Sequence, residues 1–99
     1  MNIAKNIFQA IFMMLDFTKN IHFTKLVKIA DRLREFNFRR VPDAKEQLFH
    51  ADVSDDRGNR IVFKLRKNDS NWQIVEQGLP QWVYTTEKIL SNVIAEEGF

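Results

Sequence analysis

Cysteine is absent from the 99-residue chain. That excludes a disulfide framework, a thiolate metal site and a thiol nucleophile. It also suits a reducing compartment, so the sequence-based expectation is a cytoplasmic protein. Glycine and proline are nearly as scarce, at three and two residues, and none occurs before Pro42. No glycine-rich phosphate loop can be built from three scattered glycines. Tyrosine appears once against nine phenylalanines. Phenylalanine has no polar handle, so these rings belong in a core or an interface.

What remains is an ordinary globular balance, 44% hydrophobic and 28% charged. One domain spanning 1–99 is expected, and a chain this size buries roughly 65% of its unfolded surface. The formal net charge is +2, unevenly spread. Residues 1–42 hold eight Lys/Arg against three Asp/Glu, and residues 43–99 hold seven against ten. A basic front half admits a polyanionic partner, though a solvated helix face carries such an excess equally well.

The segment NIFQAIFMML, Asn6 to Leu15, is the least ordinary stretch. It is too short for a transmembrane helix, which needs roughly 20 apolar residues. The following DFTKN has no small-residue cleavage site of the kind a signal peptide needs. No membrane association is expected. On a helix, Ile3, Ile7, Ile11 and Met14 share one face, and Phe8, Phe12 and Leu15 form a second stripe. The second stripe, with the adaptable thioether of Met13, is the candidate self-contact of a homodimer: Phe8, Phe12, Met13 and Leu15. Packing of the same stripe into the chain's own core is the competing reading.

KLVKIADRLREF then places Leu26, Ile29, Ala30, Leu33 and Phe36 at helical spacing, with Thr24 as N-cap. A second helix is predicted there. After it the period changes to two. FNFRRV, QLFHADVSD, RIVFKLRK and WQIVEQ read as four strands, with Phe49, Ala51, Val53, Ile61, Phe63, Leu65, Trp72 and Ile74 facing inward. Pro42-Asp43, DDRGN and NDSN mark the turns. A last helix begins near Pro80 and aligns Trp82, Val83, Thr86, Ile89, Leu90, Val93 and Ile94. The expected fold is α+β, a four-stranded antiparallel meander with two N-terminal helices and one C-terminal helix, in the order α-α-β-β-β-β-α.

Chemistry-bearing patterns are few. His50 and Asp52 form an H-x-D on one strand face, which a solvated surface explains without catalysis. Asp52, Asp55 and Asp56 precede a glycine, but their spacing fails the calcium-loop pattern. No serine sits in a nucleophile elbow. The chain is therefore expected to be non-enzymatic, with no cofactor and no metal.

Three functional readings follow. The first is a small protein acting through protein contacts, with itself as a homodimer or with another protein. The second is a nucleic-acid-binding module using Lys25, Lys28, Arg32, Arg39, Lys64 and Arg66, although Phe49, Phe63 and Trp72 point away from the face where bases would stack. The third is a carrier of a small apolar ligand, its pocket near Trp72 and Trp82 on either side of the Gly-Leu-Pro corner.

Overall fold

The computed structural model describes residues 21–43 and 45–99. Its body is one curled antiparallel sheet of five strands in sequence order, closed by a C-terminal helix pair. The strands are β1 (His22–Ile29), β2 (Arg32–Val41), β3 (Leu48–Ser54), β4 (Arg60–Asn68) and β5 (Asn71–Ile74). Two helical segments follow, α1 (Gln81–Tyr84) and α2 (Glu87–Glu96).

The four-stranded sheet with two N-terminal helices is thus corrected in its strand number and in its second helix. The segment expected as a second helix is a β-hairpin, β1 turning into β2 at Ala30-Asp31. The helix expected over residues 3–15 lies outside the described residues.

The hairpin has a physical reason. Around a two-residue turn a different apolar set faces the core, sharing only Ile29 and Phe36 with the helical stripe. Phe23, Val27 and Ile29 face the core from β1, and Phe36 and Phe38 from β2. Leu26 and Leu33, which the helix would have buried, are left outside at 64% and 67% exposure. Phe23 stacks on Phe38 at 4.8 Å between ring centroids, directly across the ladder. Burial of Phe36 and Phe38 outweighs the turn's poor chemistry, because each ring withdraws a large apolar area from water. That turn holds Ala30 at φ 49° and Asp31 at φ 65° without a glycine. Positive φ at both central residues matches the right-handed twist of a two-residue hairpin.

The other strands follow their alternation. Phe49, Ala51 and Val53 of β3 and Phe63 and Leu65 of β4 are buried on the concave face, as expected from the sequence. At the β3–β4 turn, Asp55 Oδ1 accepts from the backbone N–H groups of Arg57 and Asn59, at 2.9 and 2.8 Å. Gly58 takes φ +83° there.

Val83, Leu90 and Ile94 fill the hollow of the sheet. Thr85 and Thr86 separate the two helical segments, and each hydroxyl donates to a carbonyl three residues back, Trp82 and Val83 at 2.7 and 2.6 Å. Such back-bonding competes with the helix's own ladder and bends it. The single C-terminal helix expected from the sequence is therefore two pieces. The ring of Phe99 closes the core, edge-on to Phe49 at 5.3 Å, while Lys67 Nζ donates to its carbonyl oxygen at 2.7 Å. Among the described residues no helix is long and apolar enough to cross a membrane.

Candidate functional site: two sheet edges and the convex face

A five-stranded open sheet has two edges, and this chain treats them differently. β5 is one edge. Its ladder with β4 leaves Trp72 and Ile74 pointing their N–H groups outward. Both are captured by α2: Trp72 N–H donates to Ser91 Oγ at 2.9 Å, and Ile74 N–H to Glu87 Oε2 at 2.9 Å. The spacing of Glu87 and Ser91, one helical turn apart, matches alternate residues of the strand. Ser91 is a buried polar residue for this reason. Helix α2 thus both caps the core and seals an edge.

β1 is the other edge. Arg40 N–H donates to the Ile21 carbonyl at 2.9 Å, which puts the odd-numbered residues of β1 in the positions bonded to β2. His22, Thr24, Leu26 and Lys28 therefore direct N–H and C=O out of the edge. Among the described residues no hydrogen bond meets these groups. Their side chains rise on the convex face, where Leu26 lies diagonal to Leu33 across the hairpin. A free edge of eight residues carrying an exposed leucine is a ready template for another strand.

Two polar rows cross the convex face. In one, Thr24 Oγ1 donates to Asn37 Oδ1 at 2.7 Å, Asn37 Nδ2 to Asp52 Oδ1 at 3.0 Å, and Arg60 Nη2 to Asp52 Oδ2 at 2.8 Å. Partial burial pushes the Asp52 carboxyl up, but the bonds from Arg60 and Asn37 outweigh it and hold the group below the ordinary carboxylate value. In the other row, His22, Arg39, His50 and Lys64 are successive ladder neighbours. Arg39 Nη2 lies 3.5 Å from His50 Nδ1.

The six basic candidates do not gather into one patch. Lys25 lies on the concave parity and reaches Glu97 at 3.2 Å. Arg32 meets Asp56 at 2.7 Å, Lys64 meets Glu76 at 3.5 Å, and Arg66 meets Glu46 at 2.8 Å. Arg39 sits in the histidine row, and Lys28 lies opposite Leu33 near the hairpin tip. Four of the six face a carboxylate, so little net field remains to attract phosphates. Among the described residues the convex face carries no Phe, Tyr or Trp on which a base could stack.

The two tryptophans are separated in role. Trp72 is buried, edge-on to Phe49 at 5.2 Å. Trp82 lies beneath the Arg34 guanidinium, 4.4 Å from its carbon. Arg34 also binds Asp56 at 2.8 Å and the Ser54 carbonyl at 3.2 Å, so it ties β2, the β3–β4 turn and α1 together. The described grooves lie elsewhere. One of about 380 Å³ runs past Arg32, Glu35, Asn37 and Asp55, and another of about 410 Å³ lies between Lys45, Gln47 and Lys67. His50 and Asp52 share the convex face, but the Asp52 carboxylate is engaged by Arg60 and Asn37. The candidate self-contact Phe8, Phe12, Met13 and Leu15 lies outside the described residues.

Sequence reasoning missed the β1 edge, because it read that segment as a helix. The available signal was the run of Thr, Val, Ile and Phe through 23–29 and 36–38, residues that favour strands.

Comparison of the chain with protein-family models, with curated proteins and with solved structures returns no match. The functional reading rests on the geometry alone.

Proposed function

We propose that the protein is a small non-enzymatic module that acts through protein contacts, and that the free edge of β1 with the convex leucines beside it is the contact surface. The observation that carries this reading is the contrast between the edges. The chain commits Ser91 and Glu87 to satisfying β5, while among the described residues nothing bonds the outward groups of β1 and Leu26 is exposed. Edges invite pairing unless blunted by proline, a bulge, a cover or charged residues such as lysine. β1 is regular over eight residues and contains no proline; of its two lysines, Lys25 is drawn to Glu97 at 3.2 Å and Lys28 lies near the hairpin tip. Backbone bonds from an added strand supply affinity, and alternate side chains supply selectivity. A cysteine-free chain suits the reducing cytoplasm, which we propose as its compartment.

A peptide-display selection tests the proposal, run in parallel on the wild type and on Leu26→Pro. The Leu26 N–H points away from β2, so proline there removes an outward donor and leaves the intramolecular ladder whole. Extended peptides with apolar residues at alternate positions should be enriched on the wild type and not on the variant. Equal enrichment on both proteins would refute the assignment of the β1 edge.

A further inference from the structure

We infer that the strand received by β1 is β1 of a second copy, paired antiparallel with Leu26 opposite its own symmetry mate. Two five-stranded sheets then run on as one. This rests on the reading of β1 as a contact surface and goes beyond it by naming the occupant and the register.

Parity and charge select the register. A two-fold axis sets each residue opposite one fixed partner, and the outward groups available for bonding belong to His22, Thr24, Leu26 and Lys28. Bonded pairs must be drawn from these four, which excludes every register that sets an even residue against an odd one. Two of the remaining registers overlap most of the strand. In the first, Leu26 faces Thr24 of the second copy, and Lys25 falls directly against its own mate. That pair occupies the closer, non-bonded position, about 4.5 Å between Cα atoms, where like charges repel most. In the second register Leu26 meets Leu26, Thr24 meets Lys28, Lys25 meets Val27 and Phe23 meets Ile29. No like charges sit directly opposite, and the two Lys25 residues fall on the diagonal, about 7–8 Å apart, farther than in the first register.

The second register also continues the fold on both faces. Phe23 and Ile29 are half-buried and already lean on the core cluster. Set against each other across the junction, they extend the apolar concave surface from one copy into the next. On the convex side Leu26, at 64% exposure, gains an identical apolar neighbour. A sheet that ends in an exposed leucine becomes a sheet with that leucine at its centre. The interface is isologous, as a closed dimer requires.

The absence of native cysteine makes the register directly readable. Bonded antiparallel neighbours lie about 5.5 Å apart at Cα, within the roughly 4.4–6.8 Å that a disulfide spans. A bonded pair sets its Cβ atoms about 5.5 Å apart, wider than a relaxed disulfide, so under mild oxidation Leu26→Cys should cross-link to a covalent dimer in measurable rather than full yield. Lys25→Cys and Lys28→Cys should not, since each lies beyond about 7 Å from its own mate. Light scattering on the unmodified wild type should give twice the chain mass at 100 μM, and Leu26→Pro should halve it with the far-ultraviolet circular dichroism unchanged. Cross-linking of Lys25→Cys in place of Leu26→Cys would overturn the register. A wild type that stays monomeric, with no Leu26→Cys cross-link, would overturn the second copy as occupant. The peptide selection separates that failure from the failure of the contact-surface reading: a monomer that still enriches peptides at β1 keeps the surface and loses only the self-pairing. If the Leu26→Pro protein does not fold, the cysteine pair alone decides.

Discussion

Replacing Ala30-Asp31 by Asn-Gly separates a hairpin from a helix by the sign of its effect. In the structure both residues sit at positive φ, 49° and 65°. A non-glycine residue in the left-handed region is strained by about 1–2 kcal/mol, with Asp somewhat less because its short side chain can bond locally. Glycine at position 31 removes that strain but loses about 0.5–1 kcal/mol more conformational freedom on folding. Asparagine at position 30 tolerates the left-handed region better than alanine. The balance for the double substitution is a gain of about 1 kcal/mol, with Asn-Gly being the pair that two-residue hairpins favour. In a domain near this size that corresponds to a rise in Tm of about 4–8 °C. Were residues 25–36 helical, the same change would put glycine and asparagine in a helix interior and cost about 1 kcal/mol or more. Thermal unfolding followed by circular dichroism reads the difference. A fall in Tm would refute the hairpin and, with it, the free edge on which the functional reading depends.

Other outcomes follow from the sealed edge and the convex face. Ser91→Ala leaves the buried Trp72 N–H without its acceptor and should lower stability by about 1–3 kcal/mol, seen as a lower urea midpoint at unchanged slope. An unaltered midpoint would show that α2 does not seal β5. The Asp52 carboxyl has a depressed pKa in the fold, so its stabilisation is complete above the ordinary value of 3.8 and is lost as pH falls below that, through the depressed value. Urea unfolding of Asp52→Asn should therefore show a shallower decline below pH 4 than the wild type, and parallel pH curves would contradict this. Arg39→Ala removes a cation from the histidine row but leaves the outward N–H and C=O groups of β1 in place, so the solution mass should stay unchanged. A shift to monomer would move the contact from the edge of β1 to the convex row.

Much of the sheet was legible in the sequence, and the reason is local. In β3 and β4 the alternation of Phe49, Ala51 and Val53 with Ile61, Phe63 and Leu65 runs up to a turn whose Asp and Gly residues announce it. Periodicity and turn chemistry agree there, so the hairpin could be read without tertiary information. In β1 and β2 they disagree. Ala30-Asp31 lacks the glycine that marks a two-residue turn, and Leu26, Ile29, Ala30, Leu33 and Phe36 line one side of a helix although only Ile29 and Phe36 face the core from the strands. What decides the outcome is the stacking of Phe23 on Phe38 and the burial of Phe36, contacts made across the fold. The C-terminal apolar stripe was legible, but its interruption at Thr85-Thr86 was not, since back-bonding hydroxyls depend on the packing of the chain around them.

The site shows the same division. That Phe49, Phe63 and Trp72 point inward, away from any nucleic-acid face, followed from parity alone. The pairing of the basic residues with Asp56, Glu46, Glu76 and Glu97 did not, because each ion pair joins segments far apart in the chain. The roles of Ser91 and Glu87 were equally hidden: both read as polar helix positions until the outward N–H groups of β5 are set beside them.

The most direct test of the open β1 edge is amide hydrogen exchange by NMR across a dilution series. At low concentration the N–H groups of Phe23, Lys25, Val27 and Ile29 should be protected by the ladder with β2. Those of Thr24, Leu26 and Lys28 should exchange freely, and should gain protection as concentration rises and the edge is filled. Slow exchange of the even-numbered set at every dilution would mean that the edge is already covered within the chain. Fast exchange at every concentration would mean that β1 receives no strand from a second copy.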